Sequence, residues 1–248
     1  MIWADEFNTN GLPDTSRWSY DLGNNNGWGN NELQYYTNSP KNARIENGLL
    51  ILEAIKEEMN GKQYTSSRLS TKGKGDWQYG KIEVRAKLPR GTGTWPAIWM
   101  LPTDWKYGGW PASGEIDIME HVGYEPGVVH GTIHTEKYNH IKGTQKEGII
   151  TIPDSQEDFH VYAINWTADS LHFLVDNKPY HKVARDPNDN FEGWPFDQPF
   201  HLILNIAVGG NWGGRKGIDE SIWPQRMEVD YVRIYGDKTK TKKPKSKK

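Results

Sequence analysis

Apolar and polar residues alternate with a period of two along much of the chain, as in Leu49 to Ile55 and Lys81 to Leu88. Such alternation places successive side chains on opposite faces of a β-strand. An amphipathic helix would need a period of 3.6, which no window sustains. The pattern therefore predicts an all-β protein.

Further short runs of the same kind are separated by turn residues, and together these runs predict about a dozen strands. So many short strands favour a two-sheet antiparallel sandwich or jelly roll. Two segments, Ala168 to Ser170 and Asp176 to Lys178, predict tight hairpin turns because Asp and Asn tolerate left-handed backbone. The further predicted strands are Thr65 to Thr71, Ala97 to Leu101, Glu115 to His121, Val128 to Thr135, Gly148 to Ile152, His160 to Trp166, Leu171 to Val175, Phe200 to Ala207 and Met227 to Tyr235.

Two loops rich in glycine and asparagine each carry a tryptophan. They are Gly23 to Asn31 with Trp28, and Gly209 to Gly214 with Trp212. Flexible backbone around a large flat ring predicts a loop that faces a ligand, and the alternative is a ring that only plugs an edge of the sandwich.

Composition indicates a single domain with an aromatic core. The 248 residues include 12 Trp, 12 Tyr and 6 Phe, and all-β sandwiches of this length commonly form one unit. Seven of the last eleven residues are lysine. We therefore predict a folded sandwich over residues 1–237 and a basic, disordered tail over residues 238–248, with a nucleic-acid or membrane tether as the alternative role of the tail.

Charge narrows the class of partner. Without the tail, 23 basic residues stand against 32 acidic ones, which makes the body a poor surface for nucleic acid and favours a neutral partner. The absence of cysteine excludes disulfides and thiolate metal sites but leaves the compartment open. No apolar stretch approaches the ~20 residues that span a bilayer, and we expect a monomer.

Three acids lie within six residues of a predicted strand: Glu115, Asp117 and Glu120. In a regular strand Glu115 and Asp117 would share one face while Glu120 pointed into the core, where an unpaired carboxylate is costly. A β-bulge near Met119 would turn Glu120 onto the face of the other two. Inward-leaning side chains could then bring the two glutamates to about 5 Å, the separation of a retaining glycosidase. The alternative is an ordinary solvated strand face.

At these residues the sequence resembles family 16 of the glycoside hydrolases, in its laminarinase-type branch, whose signature is Glu-x-Asp-x-x-Glu on a bulged strand. The segment Gly114 to Glu120 matches that signature without a gap. Met119 is the extra residue that the lichenase branch lacks. The resemblance also covers Trp3 to Phe7, Asn31 to Thr37, Trp95 to Leu101, His130 to His134, Asn205 to Trp212 and Asp230 to Tyr235.

The resemblance implies a concanavalin A-like β-jelly roll with an open substrate cleft. It implies that Glu115 is the nucleophile, Glu120 the general acid and then base, and Asp117 an assisting carboxylate, with no cofactor for catalysis. The expected activity is endo-hydrolysis of β-1,3 bonds in laminarin-type glucan, and of mixed-linkage glucan as well, with retention of configuration. Rival interpretations are a same-family enzyme acting on lichenan, agar, carrageenan or xyloglucan, and a non-catalytic glucan-binding lectin.

Aromatic platforms with polar rims suit the flat faces and hydroxyl edges of sugars. The resemblance places seven residues in such a lining, although the apolar strand around Trp99 also allows that ring to be core. For His134 we favour a sugar contact, or a histidine whose hydrogen bonds are satisfied within the protein, over a metal site, since no further ligand is evident near His130 and His134. The predicted lining residues are Asn30, Arg68, Trp95, Trp99, Trp110, His134 and Trp212.

Two expectations concern calcium and location. The resemblance implies one structural calcium, bound by Glu6, the carbonyl of Gly48 and Asp230, and the alternative is that both acids are ordinary surface residues. The start of the chain lacks the apolar core of a signal peptide. We nevertheless expect an extracellular, secreted enzyme whose leader is absent from this chain.

Overall fold

The computed structural model describes residues 1–236 and consists almost entirely of strands. One turn of 3-10 helix, Asn25–Gly27, is the single helical element in that range, and no helix there is long and apolar enough to cross a membrane. The strands are β1 (Trp3–Asp5), β2 (Ser19–Tyr20), β3 (Gln34–Tyr36), β4 (Ala43–Glu46), β5 (Leu49–Ala54), β6 (Tyr64–Ser66), β7 (Arg68–Ser70), β8 (Asp76–Trp77), β9 (Gly80–Lys87), β10 (Thr94–Pro102), β11 (Glu115–Glu120), β12 (Val128–His134), β13 (Lys146–Thr151), β14 (His160–Trp166), β15 (Ser170–Val175), β16 (Lys178–Ala184), β17 (Phe200–Val208) and β18 (Gln225–Tyr235).

The strands form two large antiparallel sheets. The first sheet has the order β16-β15-β14-β9-β18-β5-β4, with β1 paired to β18. The second sheet has the order β13-β12-β11-β10-β17-β7-β2, with β8 paired to β17. A small parallel pair, β3 and β6, stands apart from both. The predicted jelly-roll sandwich is confirmed.

The core lies between the two sheets. Period-two alternation in each strand sends one set of side chains inward, so that Trp166 and Phe173 of the first sheet and Phe200 of the second are fully buried in one cluster. Burying a large apolar side chain stabilises the fold by about 1.5–3 kcal/mol. This packing fixes which face of the second sheet is left open.

Two local predictions have different outcomes. Asp176 and Asn177 have φ angles of 50° and 63° between β15 and β16, so the predicted left-handed hairpin turn is confirmed. The single strand predicted over Thr65 to Thr71 is wrong in its extent. The segment breaks at Ser67, because β6 pairs with β3 whereas β7 pairs with β17 and β2.

The predicted tail over residues 238–248 lies outside the described residues and stays a prediction.

Candidate active site

A β-bulge in β11 decides where its acids point. Asp117 pairs with Thr132 and Glu120 with His130 on β12, so Ile118 and Met119 together oppose a single residue, Gly131. Both bulged side chains are buried. The extra residue restores Glu120 to the face that carries Asp117, as the sequence predicts.

The side of the second sheet turned away from the core, here called the open face, carries all three acids. Across the β10–β11 pairing, Glu120 lies opposite Ala97 and Asp117 opposite Trp99. Ile98, the residue between them on β10, is fully buried in the core. The predicted alternation in β10 is therefore confirmed, and Trp99 belongs to the open face.

Each outer glutamate accepts a hydrogen bond from a tryptophan. The indole Nε1 of Trp110 donates to Oε2 of Glu115 across 2.9 Å, and Nε1 of Trp95 donates to Oε1 of Glu120 across 3.0 Å. A carboxylate that accepts from a partly buried indole N–H is held in one orientation. The two predicted sugar platforms thus also position the carboxylates.

Burial and mutual repulsion favour the protonated forms of the three acids. Desolvation raises the pKa of Glu115 well above its usual value, and the negative charge of Asp117 raises it further. Desolvation likewise raises the pKa of Asp117 and that of Glu120, and for Asp117 the charge of Glu120 adds to the effect. The crowding of three carboxyl groups therefore favours retention of a proton among them, which a general acid needs.

His134 lies directly beside the acids. Its Nε2 atom is 3.4 Å from Oδ2 of Asp117 and 3.9 Å from Oε1 of Glu115. Ligand atoms of these three residues lie within 4.8 Å of one another, the one such group of three found in residues 1–236. This spacing allows the group to share a proton or to hold a cation. The predicted sugar contact of His134 stays a prediction.

Trp95 is part of an aromatic wall beside Glu120, formed with Trp212 and His130. The ring of Trp212 meets Trp95 edge to face at 5.5 Å and meets His130 at 4.8 Å. Nδ1 of His130 lies 2.7 Å from Oε1 of Glu147. The loop that carries Trp212 is fixed to Asn30, whose carbonyl accepts from the backbone N–H of Asn211 across 2.7 Å.

Arg68 and Trp99 form a second wall. The guanidinium carbon of Arg68 lies 4.8 Å from the Trp99 ring centroid and 4.4 Å from that of Trp28, so the cation is sandwiched between two indoles. Its Nε donates to Asp21 across 2.9 Å. The structure therefore brings the predicted lining residues together on or beside the open face, where Asn30 holds Asn211 through its carbonyl and reaches Oε1 of Glu32 through its side-chain amide across 3.5 Å.

Sequence reasoning missed several polar residues beneath this wall. Nε1 of Trp99 donates to Oδ1 of Asn205 across 2.7 Å, and Asn205 in turn reaches Tyr36. Asn205 is a polar residue inside the apolar strand β17, and that anomaly was the available signal. The buried acid Glu32 carried no comparable signal, because it lies in a loop where acids are ordinary.

The two acids predicted to bind calcium are engaged with arginines. Both carboxylate oxygens of Glu6 accept from Arg233 across 2.8 Å, and Oδ2 of Asp230 accepts from Arg85 across 2.6 Å. A calcium ion needs several free oxygen ligands, and these two carboxylates are already neutralised. The described arrangement does not fit the ion, and calcium stays a prediction of the sequence.

Comparisons with known proteins agree with this geometry. A model of the glycosyl hydrolases of family 16 matches residues 30–233. The β-glucanase of Rhodothermus marinus is 54% identical over 242 residues, which cover 95% of this chain and 84% of that protein.

Solved structures give the same result. The X-ray structure of the laminarinase from Rhodothermus marinus superposes with a TM-score of 0.93 at 54% identity, covering 95% of this chain and 96% of that one. A crystal structure of a non-specific endo-β-1,3(4)-glucanase of family 16 has a TM-score of 0.91 at 50% identity and covers 95% of this chain and 94% of that one. That crystal contains a glucan fragment at the active site.

Proposed function

The chain belongs to family 16 of the glycosyl hydrolases, and we propose how its open face cleaves a β-1,3-glucan. It is an endo-1,3-β-glucanase of the laminarinase type. The observation that carries the residue roles is the bulged strand, which presents Glu115, Asp117 and Glu120 together and gives each outer glutamate an indole donor.

In the first step, Glu115 attacks the anomeric carbon and Glu120 protonates the departing glycosidic oxygen. The products are a covalent glycosyl-enzyme and the free reducing-end fragment. Burial raises the pKa of Glu120, which favours the protonated form that a general acid must have before it donates.

In the second step, Glu120 acts as a base. It removes a proton from water, and the oxygen of that water attacks the anomeric carbon and releases Glu115. Two inversions give net retention of configuration. A carboxylate oxygen of Asp117 lies within 4.8 Å of one of Glu115, and the charge of Asp117 raises the pKa of Glu115, so the pair can share a proton until the substrate arrives.

The lining suits a neutral glucan chain. Indole rings of Trp95, Trp99 and Trp212 offer flat surfaces for pyranose faces, and His134 offers a polar group for hydroxyls. A sulfated polysaccharide would require several cations, and Arg68 is already committed to Asp21 and two indoles. We therefore propose laminarin as the preferred substrate class, with β-1,4 bonds of mixed-linkage glucan cut as well.

Two further proposals follow from the substrate. A glucan polymer does not cross a membrane, so we place the enzyme outside the cell. All reacting groups come from one chain, so we propose that a monomer is active.

The test compares release of reducing ends from laminarin, mixed-linkage glucan and agarose by the native chain and by Glu115→Ser. We expect cleavage of both glucans by the native chain and none by the variant. Binding of laminarin without release by the native chain would favour a lectin. Cleavage of agarose alone would keep the family and overturn the substrate.

A further inference from the structure

Glu32 is a buried carboxyl that the proposed mechanism does not use. It is only 7% exposed, and it lies where the chain passes from the 3-10 turn to β3, bridged to Gly209. Desolvation raises its pKa. A carboxyl in such a place is costly unless its oxygens accept hydrogen bonds.

Two side chains supply those hydrogen bonds on one oxygen. Nε2 of Gln34 donates to Oε2 of Glu32 across 2.6 Å, and the hydroxyl of Tyr36 points to the same oxygen across 3.4 Å. Tyr36 is fully buried, and its own oxygen accepts from Nδ2 of Asn205 across 3.0 Å. The carboxylate therefore stands at the end of a chain of polar groups.

The other end of that chain is the indole of Trp99, 2.7 Å from Oδ1 of Asn205. An indole N–H can only donate, so Asn205 must turn its oxygen to Trp99 and its amide nitrogen to Tyr36. The phenol hydrogen of Tyr36 is then left for Glu32. Every hydrogen bond runs from Trp99 toward the carboxylate, which is the sole pure acceptor.

Trp99 sits where its orientation matters for the reaction. It is paired with Asp117 across β10 and β11, and its ring is only partly buried on the open face. Arg68 stacks over the ring, but stacking alone lets an indole rotate in its own plane, whereas a hydrogen bond at Nε1 does not.

We infer that Glu32 is a positioning residue that fixes the plane and rotation of the Trp99 indole through Tyr36 and Asn205, and thereby sets the affinity for a sugar ring bound on Trp99. This inference rests on the proposed function, since it takes Trp99 as a sugar platform. Glu32 lies behind the wall and touches neither substrate nor the reacting carboxyls.

The test measures KM and kcat on laminarin for Glu32→Gln, Tyr36→Phe and the double variant. Losing one hydrogen bond of the chain corresponds to about a fivefold change in KM, with kcat altered less than about twofold. Tyr36→Phe breaks the chain, so adding Glu32→Gln to it should raise KM no further. The inference would be overturned if the effects of the two substitutions on KM were additive in the double variant, or if kcat and kcat/KM fell equally.

The indole N–H resonance of Trp99 gives a readout without substrate. It is identified as the signal missing from Trp99→Phe, and we expect it to shift in Glu32→Gln and Tyr36→Phe. The matched control is Glu57→Gln, which alters a carboxylate that accepts from Thr65 and Lys41 and should move neither this signal nor KM. If the Trp99 signal does not move in either Glu32→Gln or Tyr36→Phe, the inference is refuted even if laminarin is cleaved. Failure of the native chain to cleave laminarin refutes the proposed function alone.

Discussion

The Nε1 atom of Trp95 lies 3.0 Å from Oε1 of Glu120 and donates a hydrogen bond to it. Trp95 and Glu120 are on neighbouring strands, β10 and β11, and the bulge in β11 is what brings the carboxyl to the face of the indole. The aromatic surface and the proposed general acid are therefore one structural unit. A change in the indole should be visible in the titration of the acid.

Trp95→Phe should move the alkaline limb of the kcat/KM profile to higher pH. The indole hydrogen bond lowers the pKa of Glu120, so its removal raises that pKa and the acid keeps its proton to higher pH. Losing a hydrogen bond to the charge that develops on Glu120 as it donates its proton also corresponds to about a tenfold fall in kcat/KM. Trp212→Phe, which changes an indole that has no hydrogen bond to Glu120, is the control and should leave the limb in place.

Asp117→Asn should move the acidic limb of the same profile to lower pH. The charge of Asp117 raises the pKa of Glu115, so a neutral side chain lets the nucleophile ionise at lower pH. We expect kcat to fall on the order of a hundredfold, because the carboxyl that shares a proton with Glu115 is lost. An acidic limb unchanged from the native profile would show that Asp117 carries no charge in the working enzyme.

Part of this site could be predicted from the sequence because one local fact decided it. In Glu115 to Glu120 the spacing of the acids against Ile116 and Ile118 required either a buried charge or a bulge, and a bulge is the cheaper outcome. The alternation in β10 likewise placed Trp95 and Trp99 on one face. These conclusions needed only neighbouring residues.

The remainder depends on contacts between distant segments. Nothing local indicates that Tyr36 meets Asn205, 169 residues away, or that Arg68 enters the space between Trp28 and Trp99. Thr65 to Thr71 reads as one strand, yet it divides because its two halves find different partners. Tertiary pairing overrides local propensity at such positions.

Calcium should have little effect on the stability of the native protein. Glu6 and Asp230 are each paired with an arginine, so a cation must displace a guanidinium to bind them. We expect millimolar calcium and excess EDTA to give melting temperatures within about 2 °C of each other, which in a protein of this size is no more than the shift produced by about 1 kcal/mol. A calcium-dependent rise that Asp230→Asn abolishes would instead establish the ion site that the sequence resemblance implies.

Histidine burial should weaken the fold in mild acid. His121 is fully buried, its ring contacts the carbonyl of Val128, and desolvation lowers its pKa to about 4. Between the unfolded pKa of about 6.5 and this value the unfolded state binds the proton and the folded state does not, so stability falls as pH falls. Protonation of His121 therefore lowers the free energy of unfolding by about 3 kcal/mol across that pH window.

Urea unfolding at several pH values tests this contribution. The free energy of unfolding of the native protein should fall more steeply between pH 6.5 and 4 than that of His121→Asn. Some slope should remain in the variant, because burial also lowers the pKa of His201 to about 4. The carboxyls of the open face act in the opposite direction, but they are common to both proteins and cancel in the comparison.

The stereochemistry of azide rescue distinguishes the roles of the two glutamates. In Glu115→Ala, azide occupies the space of the lost carboxylate and attacks the anomeric carbon from that side, so a β-linked substrate yields an α-glycosyl azide. In Glu120→Ala, an aryl glycoside with a good leaving group still forms the ester with Glu115, and azide then enters where water would, giving a β-glycosyl azide. Each variant alone should lose about a hundredfold or more in kcat on laminarin. Anomeric proton couplings identify the products, and an exchange of the two products between the variants would mean that Glu120 is the nucleophile and Glu115 the acid.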